Sequence, residues 1–189
     1  GLTTPSQTDL MVVHGSTVAT NALLERRETA AALITTAGFE DTLTIARQDR
    51  PDLYALHPQK PAPPITKAHC IGLAERLNES GTVQHPLTDD ALGRAVERLR
   101  ALRVEAVAIS LLHSYANAEH ERRLASAIRD ALGETVHLTV SHDLLPEYRE
   151  YERAATCVVN ALVAPPMVRY LQRLTHEIGS NRLRIMGSH

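Results

Sequence analysis

Apolar runs that alternate with a helical pattern constrain this chain more than any other feature of its sequence. Residues 10–13 are a short apolar run, and residues 29–36 (TAAALITT) are a second one with β-branched members at its end. Between them, Ala19, Ala22 and Leu23 recur at helical spacing. Parallel strands need a crossover connection, usually a helix, so this order predicts two buried strands and a helix in a parallel sheet.

The same alternation continues along the chain and predicts an α/β fold, with a mostly parallel sheet and flanking helices. The further predicted elements are a short helix at 41–46, a hairpin of residues 68–77 and 82–87, a helix capped by Thr88 with Leu92, Val96, Leu99 and Leu102 inward, a strand at 105–112, a helix from Asn117 to Gly133, a strand at 136–140, helices at 147–163 and, after Pro165–Pro166, to 178, and a strand at 183–186.

Composition indicates a globular protein and excludes several classes. The 189 residues suffice for one α/β domain, which could contain an inner subdomain at 67–140. A net charge of −2 without a basic block gives no nucleic-acid signature. No apolar run approaches the roughly 20 residues of a membrane span. Two cysteines, Cys70 and Cys157, are too few for a disulfide framework or a zinc site. The expected compartment is the cytoplasm, where thiols stay reduced.

A proline-rich loop interrupts the pattern at residues 47–67, which contain five prolines and no helical or strand period. Loops of this length are usually functional or disordered, and Tyr54 and Leu56 give this one apolar groups with which to dock. Near the end of the chain, the run at 183–186 has no partner element after it. We therefore expect the chain to be part of a larger protein.

The segment between the first strand and its helix is a candidate anion site. Gly15 permits a sharp turn, and Ser16 or Thr17 can cap the helix, whose first N–H groups lack partners within the helix. Those donors and the helix dipole favour an anion. Thr17 and Asn21 share one helical face and could assist. Alternatively, the hydroxyls are only caps and Asn21 bonds within the fold.

Four polar clusters follow predicted elements, and ligands of open parallel sheets bind beyond the carboxyl ends of strands. If the strands are parallel, three of the clusters share one edge. The clusters are His14–Thr17 after the first strand, His113–Tyr115 and Ser141–Asp143 after two later strands, and Arg47–Arg50 at the start of the loop.

Each cluster allows a functional and a structural interpretation. His113 and His142 could bind a ligand or carry a proton, or could fasten their turns. Arg47 and Arg50 could clamp a carboxylate or phosphate, or could be solvated loop charges. Glu147, Glu150 and Arg153 have the spacing of an intrahelical ion pair.

Several familiar sites are absent from the sequence. It contains no GxGxxG, GxxxxGK[ST], HExxH or GxSxG, and its ten histidines show no metal-ligand spacing.

Four blocks of sequence in fixed order resemble the hydantoinase A / oxoprolinase family, the ATP-dependent subunits of N-methylhydantoinases, 5-oxoprolinases and acetone or acetophenone carboxylases. The blocks are HGSTVATNALLERR (14–27), ALITTAGFEDTLTIARQDRPDLY (32–54), LLHSYANAEHE (111–121) and SHDLLPEYREYERAATCVVNA (141–161). Arg103 departs from the family pattern, in which a glycine commonly ends that helix.

The resemblance implies part of an actin-like or sugar-kinase-like ATPase fold. It also implies that ATP and Mg activate an amide, imide or ketone oxygen of a small-molecule substrate by phosphorylation. A hydantoinase-B-like second subunit or domain and a homo- or hetero-oligomer are expected with it. The family's phosphate loops lie outside these blocks, so this piece alone is not expected to turn over.

Carried over by position, the resemblance places one set of residues in the nucleotide–substrate cleft and another as clamps on the substrate side. The cleft set is His14, Gly15, Ser16, Thr17 and Asn21, and the clamps are Arg47, Gln48 and Arg50. His113, Ser114 and His142 complete the candidates.

Two other interpretations remain open at this point. The chain could be a non-catalytic module that holds a partner subunit through the proline-rich loop and the helical C-terminal part. It could also be a hydrolase that uses Ser114 or Ser16 with a nearby histidine, although no third orienting group is evident.

Overall fold

The computed structural model describes residues 12–24, 29–49, 61–178 and 183–186, together with Tyr54 and Leu56. The chain divides into two compact units, one of residues 1–28 and 163–189 and the other of residues 29–162. The grouping of both into one domain, with an inner subdomain at 67–140, stays a prediction.

Helices and strands alternate through the described residues. In chain order they are β1 (Val12–His14), α1 (Val18–Leu24), β2 (Ala31–Thr36), α2 (Thr42–Ile45), β3 (Cys70–Leu73), β4 (Arg76–Leu77), β5 (Val83–His85), α3 (Asp89–Leu102), β6 (Ala106–Ser110), α4 (Glu119–Leu132), β7 (His137–Val140), α5 (Ser141–Leu144), α6 (Glu150–Ile178) and β8 (Leu183–Ile185).

A four-stranded parallel sheet in the order β3-β2-β6-β7 forms the centre of unit 29–162. Ile34 lies opposite Ile109 and Thr35 opposite Ser110 in the register of β2 and β6. Both strands are buried along their whole length, which is why their sequences read as continuous apolar runs. The predicted α/β class with a parallel sheet is confirmed.

Alternate residues of the strands feed two cores, one on each face of the sheet. Ile34 and Ile109 pack with Leu99 of α3 and Leu124 of α4 on one face. The other face packs against the first half of α6 through Ala154, Cys157, Val158 and Ala161. The helical spacing of Ala155, Val158 and Leu162 agrees with this packing, because Val158 is buried in this core and Ala155 and Leu162 are partly buried against it.

The helix ends confirm several sequence signals. The Thr88 Oγ1 accepts a hydrogen bond from the Ala91 N–H at 3.2 Å, and Asn117 Oδ1 accepts one from the Glu119 N–H at 3.0 Å. Arg103 ends α3 in the left-handed conformation at φ 51°, the geometry that favours glycine at this place.

The first strand does not join the central sheet, so the predicted crossover from it to β2 is wrong. Among the described residues, β1 pairs in parallel with β8. Val13 is 60% exposed, so the described part of this strand is not buried as predicted. Leu10 and Met11 lie outside the described residues. Gly15, between β1 and α1, does not have a positive φ.

The predicted hairpin is shorter than its sequence suggests. Only Arg76–Leu77 pairs antiparallel with β5, around the turn Asn78–Gly81. Cys70–Leu73 instead becomes an edge strand of the central sheet. The reason is burial, because in that position Ile71 and Leu73 enter the core.

Helix α6 continues through Pro165 and Pro166, where the sequence predicts a break. A proline inside a helix removes one hydrogen bond and commonly kinks the helix without ending it. By length and composition alone α6 could also span a membrane, although the sequence was expected to contain no apolar run of that length. Its first half is, however, a core helix of unit 29–162.

Most of the proline-rich loop, including Arg50, lies outside the described residues. Tyr54 and Leu56 are 95% and 94% exposed, so neither side chain is buried. Ile65 is buried with Leu33 and Leu43 in the second core and holds the end of the loop to the sheet.

Candidate functional site

The carboxyl edge of the central sheet gathers polar side chains from several elements. Ser114 follows β6, and Ser141 and His142 follow β7, so two of the predicted clusters do share an edge. The cluster that begins at His14 follows β1 and belongs to the other sheet. The expectation that three clusters share one edge is therefore wrong for the His14–Thr17 cluster.

Glu121 of α4 connects the two clusters at the sheet edge. It is 0% exposed and accepts hydrogen bonds from the Leu111 N–H at 2.8 Å, the Ser141 hydroxyl at 2.6 Å and the His142 N–H at 3.0 Å. The His142 Nδ1 lies 2.8 Å from the same carboxylate. The Ser114 hydroxyl extends the network to Ser141 at 2.9 Å.

A second buried carboxylate, Glu75, follows β3 at the same edge. Its Oε2 lies 2.6 Å from His120 Nδ1, and its Oε1 accepts a hydrogen bond from the hydroxyl of Thr36. The same hydroxyl oxygen of Thr36 accepts a hydrogen bond from the Leu112 N–H at 2.9 Å. Both carboxylates therefore compensate buried backbone and side-chain donors at the ends of the strands.

This network fixes the strand ends and does not form a nucleophile–base pair. The Ser114 hydroxyl faces Ser141, and the His142 Nδ1 faces Glu121. Ser16 accepts a hydrogen bond from the Val18 N–H at 3.2 Å, which is the capping role. Within the described residues neither serine meets a histidine, so the hydrolase interpretation lacks its geometry.

Arg153 lies at this edge on the opposite face of the sheet. It donates to the carbonyls of Leu111 at 2.7 Å and Glu147 at 3.0 Å, and its guanidinium lies 5.5 Å from the Tyr115 ring centre. Within the described part of the chain it forms no ion pair with Glu147 or Glu150, so the predicted intrahelical pair is wrong. Its side chain turns inward, because the orientation of α6 about its own axis places Arg153 beside the strand ends.

His113 lies in the loop after β6, between Leu111, whose carbonyl accepts a hydrogen bond from Arg153, and Tyr115. Its backbone is left-handed at φ 57°, and its Nδ1 lies 3.2 Å from the Tyr115 hydroxyl. The Ala116 N–H donates to the His113 carbonyl at 3.0 Å. These contacts fasten the turn, while the imidazole is only half-buried.

Arg47, which is exposed, forms an ion pair at 2.7 Å with the half-buried Glu152 of α6. The hydrogen bond from Arg47 lowers the pKa of Glu152, and the same contact raises the pKa of Arg47. The pair borders an open cleft of about 350 Å³ that Asp49 and Tyr151 also line. Gln48 follows Arg47 in the left-handed conformation at φ 59°.

In the other unit, the segment from β1 to α1 combines one paired and two exposed polar side chains. His14 Nε2 forms a hydrogen bond with the Tyr170 hydroxyl of α6, and the two rings lie 5.7 Å apart. Thr17 and Asn21 are exposed, and the Asn21 N–H donates to the Thr17 carbonyl at 2.8 Å. The Val18 N–H is occupied by Ser16, so this donor is not available to a ligand.

The two cysteines lie in unlike surroundings. Burial in the second core raises the pKa of Cys157 to about 12, so its thiol stays protonated. Burial also raises the pKa of Cys70, which is half-buried.

Sequence reasoning missed the residues that organise the sheet edge, namely Glu75, Glu121, His120 and Arg153. A signal existed for Glu121, which stands three residues before Leu124 on the apolar face of α4. A carboxylate on an inward face needs buried partners.

Comparison with known proteins decides the family. The sequence model of the hydantoinase/oxoprolinase N-terminal region matches residues 5–132. The chain belongs to the hydantoinase/oxoprolinase family. The predicted family resemblance is thereby confirmed.

Relatives of known name extend this assignment. The chain is 35% identical to the caprolactamase subunit alpha of Pseudomonas jessenii over 91% of its length and 25% of the relative. It is 31% identical to the acetophenone carboxylase gamma subunit of Aromatoleum aromaticum, over 95% of its length and 25% of the relative. The crystal structure of the ATP-dependent caprolactamase from Pseudomonas jessenii matches 93% of the chain with a TM-score of 0.81 and 33% identity, across 26% of that structure.

The chain spans about a quarter of the length of these members of the family. The structural likeness extends across nearly the whole chain, and it is consistent with part of an actin-like ATPase fold.

Proposed function

We propose that the chain is the N-terminal part of an ATP-dependent cytoplasmic enzyme subunit that activates a small cyclic amide, imide or ketone by phosphorylating its oxygen. Ring opening or carboxylation follows. The observation that carries this proposal is the likeness of 93% of the chain to a structure described as an ATP-dependent caprolactamase. Both a lactam-opening and a ketone-carboxylating enzyme are among the named relatives, which supports this range of substrates.

In this proposal the β1–α1 segment lines the nucleotide–substrate cleft. Thr17 and Asn21 present exposed polar side chains, whereas His14 is held by Tyr170 and Ser16 caps the helix. Thr17 and Asn21 are therefore the members of the predicted set best placed to contact a ligand. Arg47 can act as a substrate clamp only by exchanging Glu152 for the ligand.

Mg²⁺ would come with the nucleotide. The described residues contain no group of three or more His, Cys, Asp or Glu side chains that could hold a metal ion. Mg²⁺ is commonly bound through one or two carboxylates plus substrate phosphates, so a complete protein site is not required in this part of the chain. Phosphoryl transfer depends mainly on positioning and charge stabilisation, which this segment would supply by polar contacts to the ligand.

Isotope transfer tests the chemistry on the full-length protein with its partner subunit. Caprolactam, 5-oxoproline or a hydantoin is labelled with ¹⁸O at the carbonyl and incubated with ATP and Mg²⁺. If that oxygen is phosphorylated, it leaves with phosphate, and mass spectrometry finds ¹⁸O in inorganic phosphate. Turnover that consumes ATP but leaves the phosphate unlabelled contradicts the proposal.

Variants test the segment. Asn21→Ala should lower kcat/KM by about 10-fold, the loss expected for one hydrogen bond to a charged group. Thr20→Ala, an exposed neighbour on α1, is the matched control and should be unaffected. Equal activity of both variants would remove Asn21 from the cleft.

A partner-binding role is a second candidate, in which the loop holds a hydantoinase-B-like subunit. The observation in its favour is that Leu56, an apolar side chain of this loop, is 94% exposed and free to contact a partner surface. Leu56→Ser should weaken co-purification of the partner, whereas Val83→Ser in the hairpin should not. Unchanged co-purification with Leu56→Ser contradicts this role.

A further inference from the structure

Arg153 is a buried cation without an anionic partner. Its side chain is 1% exposed, and no ion pair in the described part of the chain involves it. The carbonyls of Leu111 and Glu147 occupy two of its nitrogens, but carbonyls are neutral. Burial of a charge is costly unless an opposite charge compensates it.

The third nitrogen, Nε, has no hydrogen-bond partner among the described residues although it is fully buried. Such an unpaired donor is rare in folded proteins. Arg153 also lines a small niche, together with Thr35 and Ser110. The structure therefore offers a side chain with an unused donor at the wall of an unfilled space.

The two hydroxyls converge on this niche for a topological reason. Thr35 and Ser110 are register partners at the carboxyl ends of the neighbouring parallel strands β2 and β6, and both side chains lie on the face that α6 covers. Both residues are buried, and neither hydroxyl makes a hydrogen bond to another described residue. The carboxyl ends of parallel strands are where open α/β sheets bind ligands.

The size of the niche limits what can enter. Its volume is about 10 Å³, the room that one oxygen atom of a water or ligand needs. Glu150 also lines the niche and forms no ion pair with Arg153 within the described residues, and its charge disfavours a ligand with several negative oxygens inside. A single oxygen that enters the niche meets the charge of Arg153 and the two hydroxyls, while the rest of its molecule stays outside.

We propose that the niche of Arg153, Thr35 and Ser110 binds one oxygen of an oxyanion, either a carboxylate or a phosphoryl group. The charge of that oxygen compensates the buried guanidinium. The niche belongs to unit 29–162, whereas the β1–α1 segment belongs to the other unit, and occupancy of the niche requires no nucleotide.

Binding of inorganic phosphate and of acetate is measured by calorimetry on the full-length protein without nucleotide, at constant ionic strength. Ser110→Ala and the isosteric Thr35→Val each remove one hydrogen bond to a charged ligand and should weaken binding about 10-fold. Ser126→Ala, an exposed serine on α4, is the control and should bind like the unmodified protein.

Two features keep the test decisive. Ser110→Ala removes only a hydroxyl and Thr35→Val exchanges one for a methyl group, so folding is expected to survive where Arg153→Met could abolish it. The circular dichroism of both variants is compared with that of the control. Binding that the niche variants weaken supports the site. If only phosphate binds in this way the ligand is a phosphoryl group, if only acetate binds it is a carboxylate, and if both bind the site accepts oxyanions in general. Absence of binding, or binding that both niche variants leave unchanged, overturns the proposal. Neither result bears on ¹⁸O transfer.

Discussion

Replacement of Glu121 by glutamine tests how the sheet edge is held together. The carboxylate accepts from the Leu111 N–H and the Ser141 hydroxyl with one oxygen, and faces the His142 N–H and Nδ1 with the other. Glutamine retains one acceptor oxygen, and its NH₂ group must face one of these two pairs of groups. In either orientation at least one buried backbone N–H loses its acceptor.

The magnitude follows from these contacts. Hydrogen bonds to a charged group contribute about 1.5–3 kcal/mol each, and a buried unsatisfied donor costs about 1–3 kcal/mol. We expect Glu121→Gln to lower the free energy of unfolding by about 3 kcal/mol. At about 2–4 °C per kcal/mol for a chain of this size, the melting temperature should fall by about 6–12 °C.

The assay is urea denaturation followed by circular dichroism, with hydrogen exchange of the Leu111 and His142 amides as a local readout. Glu119→Gln is the matched control, because Glu119 is exposed in the first turn of the same helix. It should cost about 0.5 kcal/mol through the helix dipole. If Glu121→Gln costs no more than this control, and both amides stay protected, the assignment of Glu121 as the organising residue is refuted.

Three further predictions concern single groups. The Cys157 thiol, with its pKa raised to about 12, should resist alkylation at pH 8 in the native protein, while half-buried Cys70 reacts first, as read by mass spectrometry; equal rates would contradict the packing. Arg47→Met should raise the pKa of Glu152 toward its ordinary value, measured by NMR titration. Because the pKa of Glu152 is lowered in the folded protein, its stabilising effect is present above the unfolded pKa and is lost as pH falls through the folded one. This loss should be smaller in the variant, in which the largest cause of the lowered pKa is removed. Thr88→Ala removes the cap of α3 and should cost about 1 kcal/mol in urea denaturation, a result that an unchanged midpoint would contradict.

The sequence was most reliable where burial on both faces leaves a continuous apolar run. Strands β2 and β6 are of this kind, because every residue of these strands faces a core. Helix α3 was predicted correctly for another reason, since its buried residues recur at helical spacing on one face. The same reading failed for β1, whose pairing with β8 joins segments about 170 residues apart along the chain. Local pattern carries no information about which strands become neighbours.

The candidate site divides in the same way. Position after a strand is a local property, so the pattern alone is enough to predict that Ser114 and His142 follow strands of a parallel sheet. The contacts of Glu121 with Ser141 and His142 could be known only from the packed fold. The same holds for Arg153, which turns inward and has no carboxylate partner among the described residues. Those outcomes depend on the rotation of α4 and α6 about their axes, which packing against the sheet sets and helical spacing does not.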